Sequence, residues 1–163
     1  MAETVLGAIP DARIKTGMFK TEAWMLVVTD QRLIGARLSD ERRKQVAESA
    51  RAEATAAGSG FLGQLGAKLR VGPALMKCYG AMAPEAIVGE TPGNWALLPD
   101  QVKSIKVERK TSGSFDDNAG EFHFVRITID TGQGKGSYDT QDDDPNEQSV
   151  KALLERLFGP RVS

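Results

Sequence analysis

The chain has 163 residues, of which 40% are hydrophobic and 26% are charged, and its formal net charge is −1. This composition excludes a disordered or fibrous chain and predicts one domain that buries about two thirds of its unfolded surface. Because 21 basic and 22 acidic residues nearly balance, the whole molecule has no long-range attraction to nucleic acid. The single cysteine and single histidine exclude an internal disulfide and an ordinary zinc site, so we expect no metal and no cofactor.

The N-terminus lacks the features of a secretory signal. The apolar run Val5 to Ile9 is interrupted by Gly7 and closed by Pro10. No uninterrupted apolar stretch approaches the roughly 20 residues that span a bilayer. Together with the single cysteine, these features predict a cytoplasmic protein in a reducing compartment.

The first quarter of the chain has the pattern of antiparallel strands. Alternation over Ala12 to Lys15 predicts a strand with one polar face. Trp24 to Val28 and Leu33 to Leu38 are rich in β-branched and aromatic residues, which predicts a hairpin with a polar turn at Thr29 to Arg32. Asp30 is expected to favour that turn by bonding to its own backbone. This part of the chain is therefore predicted to form a small antiparallel meander.

Helical patterns replace the strands after Leu38. Ser39 suits an N-cap, and neither Gly nor Pro follows until Gly58. Small apolar residues recur at helical spacing on this segment: Val46, Ala50, Ala54 and Ala57. Since alanine buries little area, this helix is expected to gain little from its packing.

A second group of helical patterns follows Gly58. Four apolar residues form a stripe that glycines dilute: Phe61, Leu62, Leu65 and Leu69. Pro73 suits the first position of another helix, which has Tyr79 on its apolar side and which Pro84 ends or restarts. Residues 39–89 are therefore predicted to be a helical insertion, followed by a turn at Thr91 to Asn94.

Strands return after this turn. They are predicted at Trp95 to Leu98, at Val102 to Lys110, around Val125 to Ile129, and at Ser137 to Thr140 after a glycine-rich turn. Phe122 and Phe124 have the opposite phase to Val125, Ile127 and Ile129, so either both faces are covered there or a bulge shifts the register.

The chain ends with a well-marked amphipathic helix. Asp144 is the predicted N-cap, Pro145 the first helical residue, and Glu147 completes a capping box. An apolar stripe follows at helical spacing: Val150, Leu153, Leu154, Leu157 and Phe158. Because so short a helix is marginal alone, it is predicted to pack onto the open end of a bent sheet.

This order of elements resembles that of a pleckstrin-homology-like (PH-like) barrel. Leu26 to Ile34, LVVTDQRLI, resembles the second-to-third strand hairpin of bacterial PH-like and GRAM-type domains, and Leu98 to Val107 resembles the entry into a later strand. The resemblance covers the chain outside Ser39 to Gly89. It implies an α+β fold, an antiparallel β-barrel capped by a helix over Asn146 to Phe158, as one domain of residues 1–163 with the insertion, residues 39–89, after the third strand.

The resemblance also implies a ligand-binding region. Phosphoinositide-binding members carry basic residues on the first two strands and on the loop between them, where this chain has Arg13, Lys15 and Lys20. Trp24 to Val28 supplies no further basic residue, so the implied cluster is incomplete.

No convergent catalytic or metal-binding set is predicted. Cys78 lies among apolar helical residues and His123 between two phenylalanines, which are settings typical of inert residues. The aspartates at 139 and 142–144 lack the glycine and the terminal glutamate of a calcium loop. The glycines around Lys135 lead into a strand, whereas a phosphate loop leads into a helix. We therefore expect neither an enzyme nor a small-molecule substrate.

Two binding functions follow as hypotheses. The first is a non-catalytic binding or scaffold module that self-associates or binds a protein through the insertion. Its candidate surface comprises Phe61, Leu62, Leu65, Leu69 and Tyr79. The alternative is a peripheral membrane or anionic-lipid adaptor that uses Arg13, Lys15 and Lys20, in which the stripe from Phe61 to Leu69 could also lie on the membrane surface.

Overall fold

The computed structural model describes residues 2–56, 71–112, 121–142 and 145–163. In chain order its elements are β1 (Val5–Lys15), β2 (Thr21–Thr29), β3 (Leu33–Leu38), α1 (Asp40–Ala56), α2 (Val71–Gly80), α3 (Pro84–Glu90), β4 (Trp95–Leu97), β5 (Ser104–Ser112), β6 (Phe122–Asp130), β7 (Lys135–Gln141) and α4 (Glu147–Phe158). Short 3-10 turns precede β5, at Pro99–Gln101, and follow α4, at Gly159–Arg161.

These strands form one antiparallel sheet in the order β4-β3-β2-β1-β7-β6-β5. The sheet curls into a half-barrel, with β1 joined to β7 at Arg13 and Asp139. The C-terminal segment adds to the outer edge of β5, where the Val107 amide donates to the Ser163 carbonyl at 2.8 Å. The predicted α+β class, antiparallel sheet and C-terminal helix are therefore confirmed.

Strand β2 is buried on both faces, because successive side chains of a strand point to opposite sides of the sheet. Trp24, Leu26 and Val28 lie in an inner core, inside the curl, together with residues of β5, β6, β7 and α4. Met25 and Val27 lie in an outer core, together with residues of β1, β3 and the helices α1, α2 and α3. The sheet therefore separates two cores.

Helices α1, α2 and α3 cover the outer face of the first three strands. The Ser39 hydroxyl accepts from the Arg42 amide at 3.1 Å, which confirms the predicted N-cap of α1. Pro84 begins α3 and so restarts the helix. These helices bury Leu75, Tyr79 and Ile87 against the sheet. Of the helices that the structure describes, none is long and apolar enough to cross a membrane.

A β-bulge interrupts β1 beside the predicted basic residues. The register with β2 shifts between Ile9 and Ala12, and Asp11 has a φ of 51°, in the left-handed region. The Thr140 hydroxyl donates to the Pro10 carbonyl at 2.9 Å, in a buried position. The bulge allows Pro10 to lie within a paired strand. A proline has no backbone N–H and therefore cannot donate a hydrogen bond to the neighbouring strand.

The β2–β3 turn has the predicted position but a different cause. The Thr29 hydroxyl oxygen accepts from the amides of Gln31 at 3.1 Å and Arg32 at 2.9 Å. The Asp30 carboxylate instead accepts from the Thr4 amide at 2.9 Å, 26 residues away. The side chain that closes the turn is therefore Thr29, and Asp30 holds the N-terminal segment.

The N-cap of α4 also differs from the prediction. The Asn146 side chain accepts from the Ser149 amide at 3.0 Å, which makes Asn146 the N-cap, and Pro145 precedes the helix. The Glu147 amide donates to the Asp142 carboxylate at 3.2 Å. Asp144, the predicted cap, lies outside the described residues.

Neither explanation offered for Phe122 and Phe124 holds. Strands β5 and β6 pair without a bulge from Ser104 and Asp130 to Ser112 and Phe122. The outer face of β6 is only partly covered, because Phe122 is 55% exposed and Phe124 is half-buried, with the Arg126 guanidinium 5.4 Å from its ring centroid.

Candidate functional site

The connection between β1 and β2 presents two large apolar side chains to solvent. Met18 is 90% exposed and Phe19 is 94% exposed. The Thr16 amide donates to the Lys20 carbonyl at 2.9 Å, which closes the loop beneath them. These residues lie at the end of a strand pair that is ordered as far as Lys15 and Thr21. The loop is therefore held at its base while its apolar residues project from the sheet.

Lysines flank this apolar pair. Lys15 is the last residue of β1 and Lys20 precedes β2, and both are exposed. Neither forms an ion pair with another residue that the structure describes. We call Lys15, Met18, Phe19 and Lys20 the hairpin tip. It combines an exposed apolar surface with two positive charges that lack an internal counter-charge.

A pocket of about 490 Å³ opens next to the hairpin tip. Its lining includes three arginines from three elements, Arg13 on β1, Arg37 on β3 and Arg43 on α1. We call it the arginine pocket. Because β1, β2 and β3 are neighbours in the sheet and α1 follows β3 directly, the fold brings these side chains together although they are up to 30 residues apart in sequence.

Carboxylates balance the arginine pocket. Asp11 contacts Arg13 at 3.2 Å and Arg43 at 2.8 Å, and Glu22 contacts Arg37 at 3.2 Å. Arg13 and Arg37 are each half exposed, so their guanidiniums can also meet a ligand. Phosphate and carboxylate groups fit the planar donor fork of arginine. The pocket can therefore bind an anion that competes with these internal carboxylates.

The basic residues proposed from the sequence are thus distributed over two neighbouring features. Lys15 and Lys20 belong to the hairpin tip, and Arg13 belongs to the arginine pocket. Sequence reasoning did not find Arg37 or Arg43, because only the tertiary structure places them beside Arg13. It also did not name Met18 or Phe19 among the candidate binding residues. The signal that could have indicated their exposure is their position after Gly17, in a turn between two lysines.

The insertion surface proposed from the sequence has one member in the described residues. Tyr79 is fully buried in the outer core, and its hydroxyl donates to the Glu90 carboxylate at 2.7 Å. Burial, followed by this hydrogen bond, raises the pKa of Tyr79 to about 12. The structure therefore places Tyr79 inside the molecule and not on a surface. Phe61, Leu62, Leu65 and Leu69 lie outside the described residues.

The residues considered as catalytic or metal-binding candidates contact neighbouring side chains of the fold. The Cys78 thiol is 3.4 Å from an Arg42 nitrogen in the outer core, whereas His123 Nδ1 is 3.1 Å from the Thr111 hydroxyl on β5. Asp139 forms a bidentate pair with Arg126. The described residues contain no group of three or more His, Cys, Asp or Glu that could hold a metal ion.

The glycine-rich segment around Lys135 is a hairpin turn. The Thr131 amide donates to the Gly134 carbonyl at 3.1 Å, and Gly132 has a φ of 80°. Strand β7 begins at Lys135, so the turn leads into a strand as predicted.

Comparison of the chain with family models, with curated proteins and with solved structures finds no match.

Proposed function

We propose that this chain is a non-catalytic binding module that docks its hairpin tip on an anionic membrane surface. One observation carries the proposal. Met18 and Phe19 are almost fully exposed at the end of the hydrogen-bonded β1–β2 hairpin, between Lys15 and Lys20. Exposed apolar side chains cost little singly, but two adjacent ones at a projecting loop form a surface that a partner can bury.

The two components of the tip suit a membrane interface. Burial of a Met or Phe side chain away from water gains about 1.5–3 kcal/mol. Each lysine near an anionic leaflet adds about 1 kcal/mol. Stable attachment to a membrane needs two contributions, and the hairpin tip supplies both, an apolar pair and a pair of lysines. The arginine pocket adjoins the tip and can contact phosphate groups at the membrane surface.

The fold family is part of the proposal. The hairpin LVVTDQRLI, the curled antiparallel sheet and the terminal α4 support a PH-like module. In the resemblance, the residues expected to meet a lipid headgroup lie on the first two strands and their loop, and the hairpin tip has that position. Helices α1, α2 and α3, which lie between β3 and β4, are an addition to such a module.

The first hypothesis from the sequence, binding of a protein or a second copy through the insertion, stays a prediction. The described part of the insertion packs Leu75, Tyr79 and Ile87 onto its own sheet. Since its other candidate residues lie outside the described ranges, no observation favours it over the hairpin tip.

Vesicle sedimentation tests the proposal. The wild-type chain is expected to pellet with vesicles of phosphatidylcholine and phosphatidylserine at low salt, and to be released as the salt concentration rises. The double variant Met18→Ser/Phe19→Ser should bind at least tenfold more weakly, because it loses most of the apolar contribution. A charge variant, Lys15→Glu/Lys20→Glu, should also lose binding and show less dependence on salt.

Matched controls come from other exposed positions. Leu98→Ser/Phe122→Ser removes two exposed apolar side chains, which are 48% and 55% exposed, and should bind vesicles as the wild type does. Failure of the wild type to pellet at low salt would contradict the proposal, and so would an equal loss in the control. Light scattering completes the test: if the wild type is a dimer that Met18→Ser/Phe19→Ser converts to a monomer, the tip is a protein contact.

A further inference from the structure

The bulge in β1 gives Asp11 an unusual position. Its φ of 51° turns the backbone out of the strand, and the buried bond from Thr140 to the Pro10 carbonyl supports this conformation. Aspartate and asparagine tolerate the left-handed region better than most residues. The carboxylate is therefore presented to the side of β1, where Arg13 and Arg43 converge.

The contacts of Asp11 are those of a bound anion. Its Oδ1 is 2.8 Å from Arg43 Nη2, and its Oδ2 is 3.2 Å from Arg13 Nη2. The two oxygens thus face two guanidiniums that come from different elements, a helix and a strand. Oxygens of a phosphate group prefer the same arrangement of donors. The side chain of Asp11 therefore fills an anion site that is formed by this chain itself.

We infer that Asp11 is a built-in counter-anion, and that a phosphate-bearing ligand of higher charge binds the arginine pocket by displacing its carboxylate from Arg13 and Arg43. Where the phosphate belongs to a lipid, the inference rests on the membrane contact proposed above. Where it belongs to a free ion, the inference stands without that contact.

The charge of the arginine pocket indicates which anions can do this. Glu22 and Asp40 line the pocket together with the three arginines, and Asp11 contacts Arg13 and Arg43 from outside that lining, so the charges nearly balance. A singly charged anion gains nothing over a carboxylate that is already in place and pays the entropy of binding. A multiply charged phosphate can contact Arg13, Arg37 and Arg43 together. Asp11 therefore makes the pocket selective for anions of high charge density.

The test is binding of inorganic pyrophosphate, measured by calorimetry at low salt. Asp11→Asn keeps the shape of the side chain and a residue that accepts the positive φ, while it removes the competing charge. We expect Asp11→Asn to bind pyrophosphate about fivefold more tightly than the wild type does. Adding Arg43→Gln to this variant should abolish the gain, because the displaced site has then lost one donor.

Glu108→Gln is the matched control. Glu108 is also shared by two cations, Lys106 at 2.7 Å and Lys110 at 3.4 Å, but it lies on β5, away from the pocket. This variant changes the net charge by the same amount and should alter pyrophosphate affinity less than twofold. Equal affinities of Asp11→Asn and Glu108→Gln would overturn the inference, as would weaker binding by Asp11→Asn.

Vesicles separate this inference from the proposed function. A pyrophosphate gain in Asp11→Asn, without vesicle binding by any variant, would support the counter-anion and reject the membrane contact. Vesicle binding that depends on Met18 and Phe19, with no effect of Asp11→Asn on pyrophosphate or vesicles, would support the membrane contact and reject the counter-anion.

Discussion

The inner and outer cores are separated by one layer of sheet, yet they are built differently. The inner core packs the apolar stripe of α4, including Val150, Leu154 and Phe158, against large apolar residues of six strands. Among the described side chains the outer core is smaller, and α1 contributes Val46 to it as a buried residue. The difference shows that a leucine-rich helix can be held by apolar burial, whereas a helix rich in alanine and charge needs further contacts.

Those further contacts are polar. Arg42 on α1 contacts Glu90 on α3 at 2.9 Å, and Tyr79 on α2 donates to the same carboxylate at 2.7 Å. The Arg42 guanidinium carbon lies 5.7 Å from the centroid of the Tyr79 ring. The Glu90 carboxylate therefore links α1, α2 and α3 at the edge of the outer core. Such a network stabilises a structure when its members are satisfied and weakens it when one is removed.

The largest expected effect compares one buried aliphatic side chain from each core. Leu154→Ala should lower the free energy of unfolding by about 3 kcal/mol, and Ile87→Ala by about 2 kcal/mol. Both residues are fully buried, but Leu154 lies between its own helix, α4, and the curled sheet, so the cavity can collapse less. Urea denaturation measures both values. A larger loss for Ile87→Ala would reverse the ranking of the two cores.

A second prediction compares a glycine beside the inner core with a glycine on a helix that covers the outer core. The Trp95 ring lies where a side chain on Gly35 would be, so Gly35→Ala must displace an aromatic ring of the inner core and should cost about 2 kcal/mol. Gly89 on α3 has open space around it, and Gly89→Ala should stabilise by about 0.5 kcal/mol through its helix propensity. Thermal unfolding of both variants checks the opposite signs.

A third prediction concerns the polar network. Tyr79→Phe leaves the Glu90 carboxylate without one donor and should cost about 1 kcal/mol. Because the pKa of Tyr79 is raised from 10.0 to about 12, the folded state favours the neutral phenol. The resulting stability is fully present below pH 10 and is lost as the pH rises toward 12. Above pH 10, the wild type should therefore lose stability relative to Tyr79→Phe in paired urea titrations. A constant difference would show that Tyr79 titrates normally.

The smallest expected effect separates two carboxylates that share Arg32. Glu3 accepts from Arg32 and from the Thr29 hydroxyl, at 2.8 Å and 2.6 Å, and its side chain is 12% exposed. Glu85 on α3 contacts the same guanidinium but is 81% exposed. We expect Glu3→Gln to cost about 1 kcal/mol and Glu85→Gln about 0.3 kcal/mol, since solvent screens the exposed pair. Equal losses in urea denaturation would mean that α3 depends on this ion pair.

Much of the fold could be predicted from local patterns. The β2–β3 hairpin, the N-cap Ser39 and the apolar stripe of α4 follow from period, capping and turn chemistry, which depend on neighbours in sequence. The errors arise where local patterns leave more than one choice. Several side chains could serve as the cap of α4 or could close the β2–β3 turn, and the choices of Asn146 and Thr29 depend on how the chain arrives from elsewhere.

Less of the candidate site could be predicted. Arg13, Lys15 and Lys20 could be named because the resemblance places basic residues on the first two strands and their loop, whereas Arg37 and Arg43 join Arg13 in one pocket only in the folded chain. The pattern around Tyr79 indicates one apolar side of a helix, which fits a core and a partner surface equally well. The structure resolves this ambiguity by packing that side onto the sheet.

By itself, the sequence determined which segments become strands and helices, where several of their ends lie, and that one terminal helix must pack on a sheet. Those properties follow from short-range periodicity and backbone chemistry. The tertiary structure alone decided the order of strands, the division into two cores, the exposure of Met18 and Phe19, and the convergence of Arg13, Arg37 and Arg43 on one pocket. These depend on which distant segments meet, and a side chain's exposure is set by its neighbours in space.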